Sequence, residues 1–402
     1  MLFVIYACPN YTANAVSFID VLCGLPGVRF CLISQEPLAW LPAGIPPRVA
    51  AFRQVADVFD ADILIAAAQS LRDECGPIHR LLAAVEALQV PLAMTRERLG
   101  VNGMGAEAAL NFRDKDRMKH LFRQAGLPCA RAKVVTSNAA GQAFAGEYGF
   151  PLVVKPLDGA GSLSTFKVNN PEELKSALAA MPGSSALLEE FITGAEHSFD
   201  TFTLNGKPLF HSISQYMPNP LEAMRERWIQ WQVLLPREID TPQYDDIRQA
   251  AFQALQTLGM GTGVSHLEWF RRTDGSIAIS EVAARPPGAQ ILTLIGRACD
   301  FDAIDAWARL VVFDAFEAPE RPYASGAAYL RGQGQGRVRA GPHWHIPVRA
   351  LHLITDFKIP QIGQEAAGNY EGEGYIILRH PDTEVVRQAL SRVVSVVRVE
   401  LG

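Results

Sequence analysis

The sequence predicts an α/β protein: an N-terminal Rossmann-like domain on a parallel sheet, a mixed central region and a small α+β domain at the C-terminus. Three observations predict it. In residues 1–105 short apolar runs alternate with amphipathic ones, the pattern of strands joined by crossover helices. In the middle, an apolar strand ends in Lys155 and runs straight into a glycine- and serine-rich turn. From Gly326 onward strand-like stretches alternate with glycine turns and close on one helix.

Composition narrows the class. A chain of 402 residues accommodates roughly two to three domains. With 49% hydrophobic and 20% charged residues it reads as an ordinary globular protein, neither fibrous nor disordered. The 37 basic and 42 acidic residues give a net charge of −5, which carries no basic excess for nucleic acid or an anionic membrane. Six cysteines without a C-x-x-C pair speak against a disulfide framework or a zinc ribbon and for buried thiols in a reducing compartment. The opening MLFVIYACPNY has no basic stretch before its apolar run and is not read as a signal peptide. No apolar run approaches the ~18 residues of a membrane span. A cytoplasmic location follows as an expectation, with no nucleic-acid or membrane partner. A homodimer is allowed.

Taken in order, Leu2–Tyr6, Val28–Ile33, Ala61–Ala67 and Val90–Ala93 are expected as strands, with helices over Ala13–Gly24 and Pro77–Leu88. Cys8-Pro-Asn-Tyr follows the first strand where a dinucleotide fold would carry G-x-G-x-x-G, so nicotinamide binding is disfavoured. Gly100–Gly105 reads as a linker into a central domain over 106–325. The helix Asp114–Gln124 stops at Gly126 and Pro128. A lid subdomain over about 130–195 reads as strand, helix Asn138–Glu147, strand Leu152–Lys155, glycine turn, strand, helix Pro171–Ala180 and strand Ala186–Phe191. The helix Gln243–Leu258 interrupts further strands. A C-terminal domain over 326–402 closes with the helix Thr383–Val394 and a last strand.

The densest chemistry lies in Phe150-Pro-Leu-Val-Val-Lys155-Pro-Leu-Asp-Gly-Ala-Gly-Ser-Leu-Ser-Thr165. A loop of small residues lets backbone N–H groups approach phosphate oxygens, and its serines, Ser162 among them, add donors. Lys155 brings a point charge to the same oxygens. Three more segments accompany it: Asp114-Lys115-Asp-Arg-Met-Lys-His-Leu-Phe, Leu187-Leu-Glu189-Glu190-Phe191-Ile192-Thr-Gly194-Ala-Glu196, and the pair Ser265-His-Leu-Glu268 and Ile279-Ser-Glu281-Val-Ala-Ala-Arg285. In order and spacing these resemble the ATP-grasp superfamily of ADP-forming ligases over roughly residues 110–300.

That resemblance implies an ATP-grasp fold, ATP as cosubstrate, and Mg²⁺, with Mn²⁺ also allowed. It implies that Lys115 and Lys155 grip the nucleotide phosphates and that Glu189 accepts the adenine amino group. The backbone at Glu190, Phe191 and Ile192 would read the ring edge, and Glu196 would bind the ribose. Glu268 and Glu281 sit at the ends of two strands that an Asp274-Gly275 turn would join. Two carboxylates so placed repel unless a cation lies between them, and Mg²⁺ favours a few carboxylates plus phosphate oxygens. Arg285, a planar bidentate donor, would clamp an acyl phosphate or a substrate carboxylate. Lys155 and Arg285 are the expected catalytic residues. One departure stands out: the superfamily commonly reads Glu-x-Asn-x-Arg, and here Ala283 replaces the asparagine. An alanine cannot ligate metal, which leaves the metal count open.

Smaller signals are read as structural. His343-Trp-His345 lacks a third ligand, and Gly332-Gln-Gly334-Gln-Gly336 precedes no helix, so it reads as a turn. Met224–Trp231 is either a loop over the acceptor site or a tryptophan-packed helix, and His266 either touches substrate or supports the metal strand. The function expected is an ATP-dependent ligase for small carboxylate and amine substrates, with an L-amino acid ligase as the narrower expectation. The alternatives are a biotin-carboxylase-like or purine-pathway enzyme activating bicarbonate or formate, and a nucleotide-binding regulatory module without turnover.

Overall fold

The computed structural model describes residues 1–157, 165–181, 183, 185–225, 229–340 and 352–402. At the N-terminus four parallel strands lie in the order Ala51–Gln54, Val28–Ser34, Leu2–Cys8, Arg80–Leu82. Leu2–Cys8 is buried along nearly its whole length, as a strand covered on both faces by helices must be. The Rossmann-like parallel sheet is therefore present, but two of its strands are not those expected.

Ala61–Ala67, expected as a strand, is the start of the helix Ala61–Cys75. Its apolar run is helical in period, with Leu64, Ala67, Ala68 and Leu71 buried on one side. The Asp60 carboxylate caps it by accepting the N–H groups of Asp62 and Ile63. Pro77–Leu88, expected as a helix, contains the strand Arg80–Leu82 and a single 3₁₀ turn, Glu86–Leu88. Val90–Ala93, expected as a strand, lies in the helix Gln89–Leu99. Pro91 fits there because first-turn N–H groups have no partner inside the helix. An additional helix, Ala106–Arg113, precedes Lys115–Gln124, which Asp114 caps.

The segment expected as a lid is a four-stranded antiparallel sheet in the order Ala132–Val135, Ala186–Glu190, Leu152–Lys155, Phe166–Val168. Helices Asn138–Tyr148 and Pro171–Ala179 close its core through Phe144, Ala145, Leu174 and Ala177. Below it runs an eight-stranded antiparallel sheet, in the order Ile277–Ala283, Gly263–Arg272, Gly194–Leu204, Lys207–Met217, Gln232–Leu235, Ala324–Leu330, Gly374–His380, Ile354–Lys358. The C-terminal strands thus continue the large sheet: Ala324–Leu330 bonds directly to Gln232–Leu235 across the expected boundary near residue 325. Gly332–Gln333 pairs with Val399–Leu401 and is followed by a short strand, in line with the expected turn.

Period-2 alternation gives the large sheet one apolar and one polar face at its centre. Phe199, Leu267, Trp269 and Val282 point into a core closed by the helix Asp245–Leu258. Their neighbours Glu196, Ser198, Asp200, His266, Glu268 and Glu281 fall on the opposite face. Gly194 is needed where this strand starts, because a Cβ there would collide with the Arg271 carbonyl.

Candidate active site

Between the lid and the polar face of the large sheet opens a cavity of about 800 Å³. Lys115, Lys155, Glu189, Phe191, Ile192, Glu196, Glu268, Glu281 and Arg285 all line it. Every site residue expected from sequence is therefore brought to one place except Ser162, which with the loop 158–164 lies outside the described residues.

Each side chain arrives by local structure. Lys155 ends a lid strand, and Glu189 sits on the next strand, opposite Val153 in register. Lys155 Nζ lies 2.8 Å from Glu189 Oε2. Lys115 opens its helix and Lys119 follows one turn later on the same side. Lys115 Nζ lies 3.2 Å from Glu281 Oε2, and Lys119 Nζ lies 3.2 Å from Glu189 Oε1. Glu268 and Glu281 are direct cross-strand partners, as the hairpin reading requires. Asn219 clips the start of the neighbouring strand: its Oδ1 accepts the Glu196 N–H at 3.1 Å, and its Nδ2 donates to the Gly194 carbonyl.

These contacts set the charges. Burial pushes the Glu189 carboxyl up, but the ammonium groups of Lys119 and Lys155 outweigh it and hold the group at about 2. Burial likewise pushes the Lys155 ammonium down, and Glu189, Glu281 and Glu268 raise it well above its ordinary range. Glu281 follows Glu189: burial raises it, Lys115 and Lys155 prevail, and its carboxyl is lowered. Glu196 goes the other way. Burial, reinforced by the charge of Glu268, pushes it well above the usual carboxylate range despite Lys155.

His266 also lines the cavity. Its Nδ1 is 2.6 Å from Oδ1 of the fully buried Asp200, whose other oxygen accepts the Ser198 hydroxyl at 2.8 Å. Its Nε2 is 3.7 Å from Glu268 Oε1. Burial pulls the imidazole down, yet Asp200 and then Glu268 raise it to about 9. His266 is thus neither a plain core histidine nor an isolated one.

Four groups had not been singled out from sequence. Lys119 carried a signal, its i+4 spacing from Lys115 on an amphipathic helix. Glu86 and Arg113 carried none. Glu86 Oε2 accepts from Arg285 Nε at 3.1 Å and Nη2 at 3.0 Å, while its Oε1 accepts from Arg113 at 3.0 Å. Asp200 was hidden in the polar–apolar alternation of the strand Gly194–Leu204. The wall beyond Glu268 is aromatic, with Tyr216, Trp231 and Tyr370 packed together. In Met224–Trp231, the side chains of residues 224–228 lie outside the described residues, and Trp231 is a buried wall residue. His343 and His345 also lie outside them.

Among the described residues no three His, Cys, Asp or Glu side chains form a ready-made metal cluster. The donor chemistry nonetheless suits a hard divalent cation. Glu268 and Glu281 face the cavity from adjacent strands, and their charge adds to burial in raising Glu196. Ala283 lies opposite His266 in register and supplies no ligand. No helix among the described residues is long and apolar enough to cross a membrane.

Comparison with known proteins agrees with this arrangement. A family model for the ATP-grasp domain matches residues 148–294. The L-arginine-specific L-amino acid ligase of Bacillus subtilis is 28% identical over 228 residues, covering 55% of this chain and 54% of that protein. The D-alanine–D-alanine ligase of Geobacillus kaustophilus is 27% identical over 238 residues, covering 56% and 61%. The chain thus spans little more than half the length of these relatives. The crystal structure of an L-amino acid ligase from Bacillus licheniformis superposes with a TM-score of 0.81 at 17% identity, over 100% of this chain and 99% of that one. That likeness is one of fold.

Proposed function

We propose that this chain, an ATP-grasp protein by its matched domain and its fold, is an ADP-forming ligase that joins a carboxylate to an amine. The observation that carries the reading is one cavity in which Lys115, Lys155, Glu189, the carboxylate pair Glu268 and Glu281, and Arg285 converge. Its volume of about 800 Å³ has room for a nucleotide and a second small molecule.

In this reading Lys115 and Lys155 hold the phosphates, helped by Ser162 and its loop. Glu189 accepts the adenine amino group, the backbone of Phe191 and Ile192 meets the ring edge, and Glu196 takes the ribose hydroxyls. Glu268 and Glu281 would hold Mg²⁺, or Mn²⁺ in its place, whose chemistry is to neutralise charge on the phosphate oxygens. The γ-phosphoryl group passes to the substrate carboxylate, giving ADP and an acyl phosphate. An amine then attacks the acyl carbon and expels phosphate, leaving an amide. Arg285 steadies the acyl phosphate while the lysines offset charge on the transferring group. The protein's part is mainly placement of two reactants in one cavity.

Amino acids are the proposed substrates. The wall of Tyr216, Trp231, Tyr370 and Ile291 beside Glu268 suits an acid with a side chain better than bicarbonate or formate, which call for a tightly closed pocket. All six cysteines are free, in keeping with the proposed cytoplasmic location. The test is phosphate release from ATP across a panel of carboxylic acids and amines, with product masses. Amide products from amino acids support the reading. Release that requires bicarbonate or formate, or no release with any pair, overturns it.

A further inference from the structure

Lys119 has no place in the scheme above. Its side chain is 1% exposed, and it lies behind the cavity wall, not on it. A buried ammonium is costly unless paired. Here the partners are Glu189 Oε1 at 3.2 Å and the Ile279 carbonyl, to which Nζ donates at 3.3 Å. Glu189 therefore has two cations for one charge. Lys155 approaches Oε2 from the cavity side, and Lys119 approaches Oε1 from behind. Oε1 is buried on the Lys119 side, so Oε2, on the Lys155 side, is the oxygen left for an N–H donor in the cavity.

The two lysines are not equivalent once a nucleotide enters. Phosphate oxygens compete for Lys155 at the cavity wall, whereas Lys119 is out of their reach and anchored to the strand Ile277–Ala283. We propose that Lys119 is a positioning residue for base selection, keeping the Glu189 carboxylate a hydrogen-bond acceptor for a purine 6-amino group after Lys155 has turned to the phosphates. The inference rests on the ligase reading of the cavity. Without Lys119, a buried Glu189 deprived of Lys155 takes up a proton. A protonated carboxyl both donates and accepts, so it no longer separates a 6-amino purine from a 6-oxo purine.

The test is calorimetric binding of ADP and IDP to the full chain, which needs no knowledge of the acid or amine. Wild type prefers ADP. In Lys119→Met, ADP affinity falls about ten-fold or more while IDP affinity changes by less than about three-fold, so the preference collapses. Lys119→Arg restores most of it. In a Glu189→Gln background Lys119→Met changes the ADP:IDP ratio no further, because the effect runs through the carboxylate. Should the single variant fail to fold, the double variant, which buries no lone charge, carries the test against Glu189→Gln alone. An unchanged ratio in folded Lys119→Met, or an equal drop in the Glu189→Gln background, overturns the proposal. Wild type that binds both nucleotides without preference overturns this inference alone. Wild type that binds neither overturns the ligase reading with it.

Discussion

Glu189 and Glu196 line the same cavity, are 3% and 7% exposed, and carry opposite charge tendencies. Burial penalises both as anions. The difference is in their neighbours. Two ammonium groups outweigh burial at Glu189, while Glu268 and Glu281 add to it at Glu196, with Lys155 the lone cationic influence against them. One end of the cavity is neutralised by the chain itself. The other keeps a surplus of negative charge, and a divalent cation gains most there. Exposure alone would have predicted the same state for both acids.

The largest expected effect comes from the lysine shared by both ends. Lys155→Ala should lower turnover by about 100-fold or more, the cost of removing a preorganised charge from a transferring phosphoryl group. The fold should survive, since Lys119 still balances Glu189. Steady-state rates with a melting curve check this, and activity within a few-fold of wild type would break the comparison at its centre. Next is Glu281→Gln, which removes one of the carboxylate pair proposed to hold the cation. It should reduce kcat more than it raises KM for ATP, because the proposed nucleotide contacts at Glu189 and Glu196 remain; an effect confined to KM would contradict the assignment.

A smaller effect sharpens the contrast without any substrate. Mg²⁺ should raise the Tm of the nucleotide-free protein by about a few degrees, as any ligand of the folded state does. Glu268→Gln with Glu281→Gln should abolish that shift, and Glu189→Gln should leave it. A shift lost in Glu189→Gln instead would place the cation at the wrong end.

The smallest effect is in pH. The folded Glu189 carboxyl is held at about 2 against an ordinary 4.5, so its contribution to stability is complete above 4.5 and is lost as pH falls toward 2. The Tm difference between wild type and Glu189→Gln should therefore be constant at neutral pH and shrink over that acid window. A difference that grows on acidification would have the wrong sign.

What the sequence made legible follows the same physics. Lys155 and Glu189 stand at or next to the ends of apolar strands, while Glu268, expected at a strand end, lies mid-strand in Gly263–Arg272 and meets Glu281 through the hairpin register, so local strand pattern and turn chemistry place all four. Asp274-Gly275 predicted the hairpin, and the register pairs Glu268 with Glu281. Glu86 was unreadable because its partner Arg285 lies 199 residues away in the sequence, and no local pattern encodes that meeting. Lys119 was readable only by its spacing from Lys115, which does not by itself place a lysine in the interior. At Ala61–Cys75 the alanine-rich apolar run hid a helical period that its Asp60 cap could have revealed. Chemistry tied to local elements was legible, and chemistry made by long-range pairing was not.

The central claim is that a substrate carboxylate is phosphorylated in this cavity before the amine attacks. With an acid and an amine identified, the direct measurement is turnover of the acid labelled with ¹⁸O in its carboxylate, in unlabelled water, followed by mass analysis of the phosphate. The account predicts one ¹⁸O atom in each phosphate released, carried over when the amine expels it from the acyl phosphate. Unlabelled phosphate from a reaction that still forms the amide would contradict it.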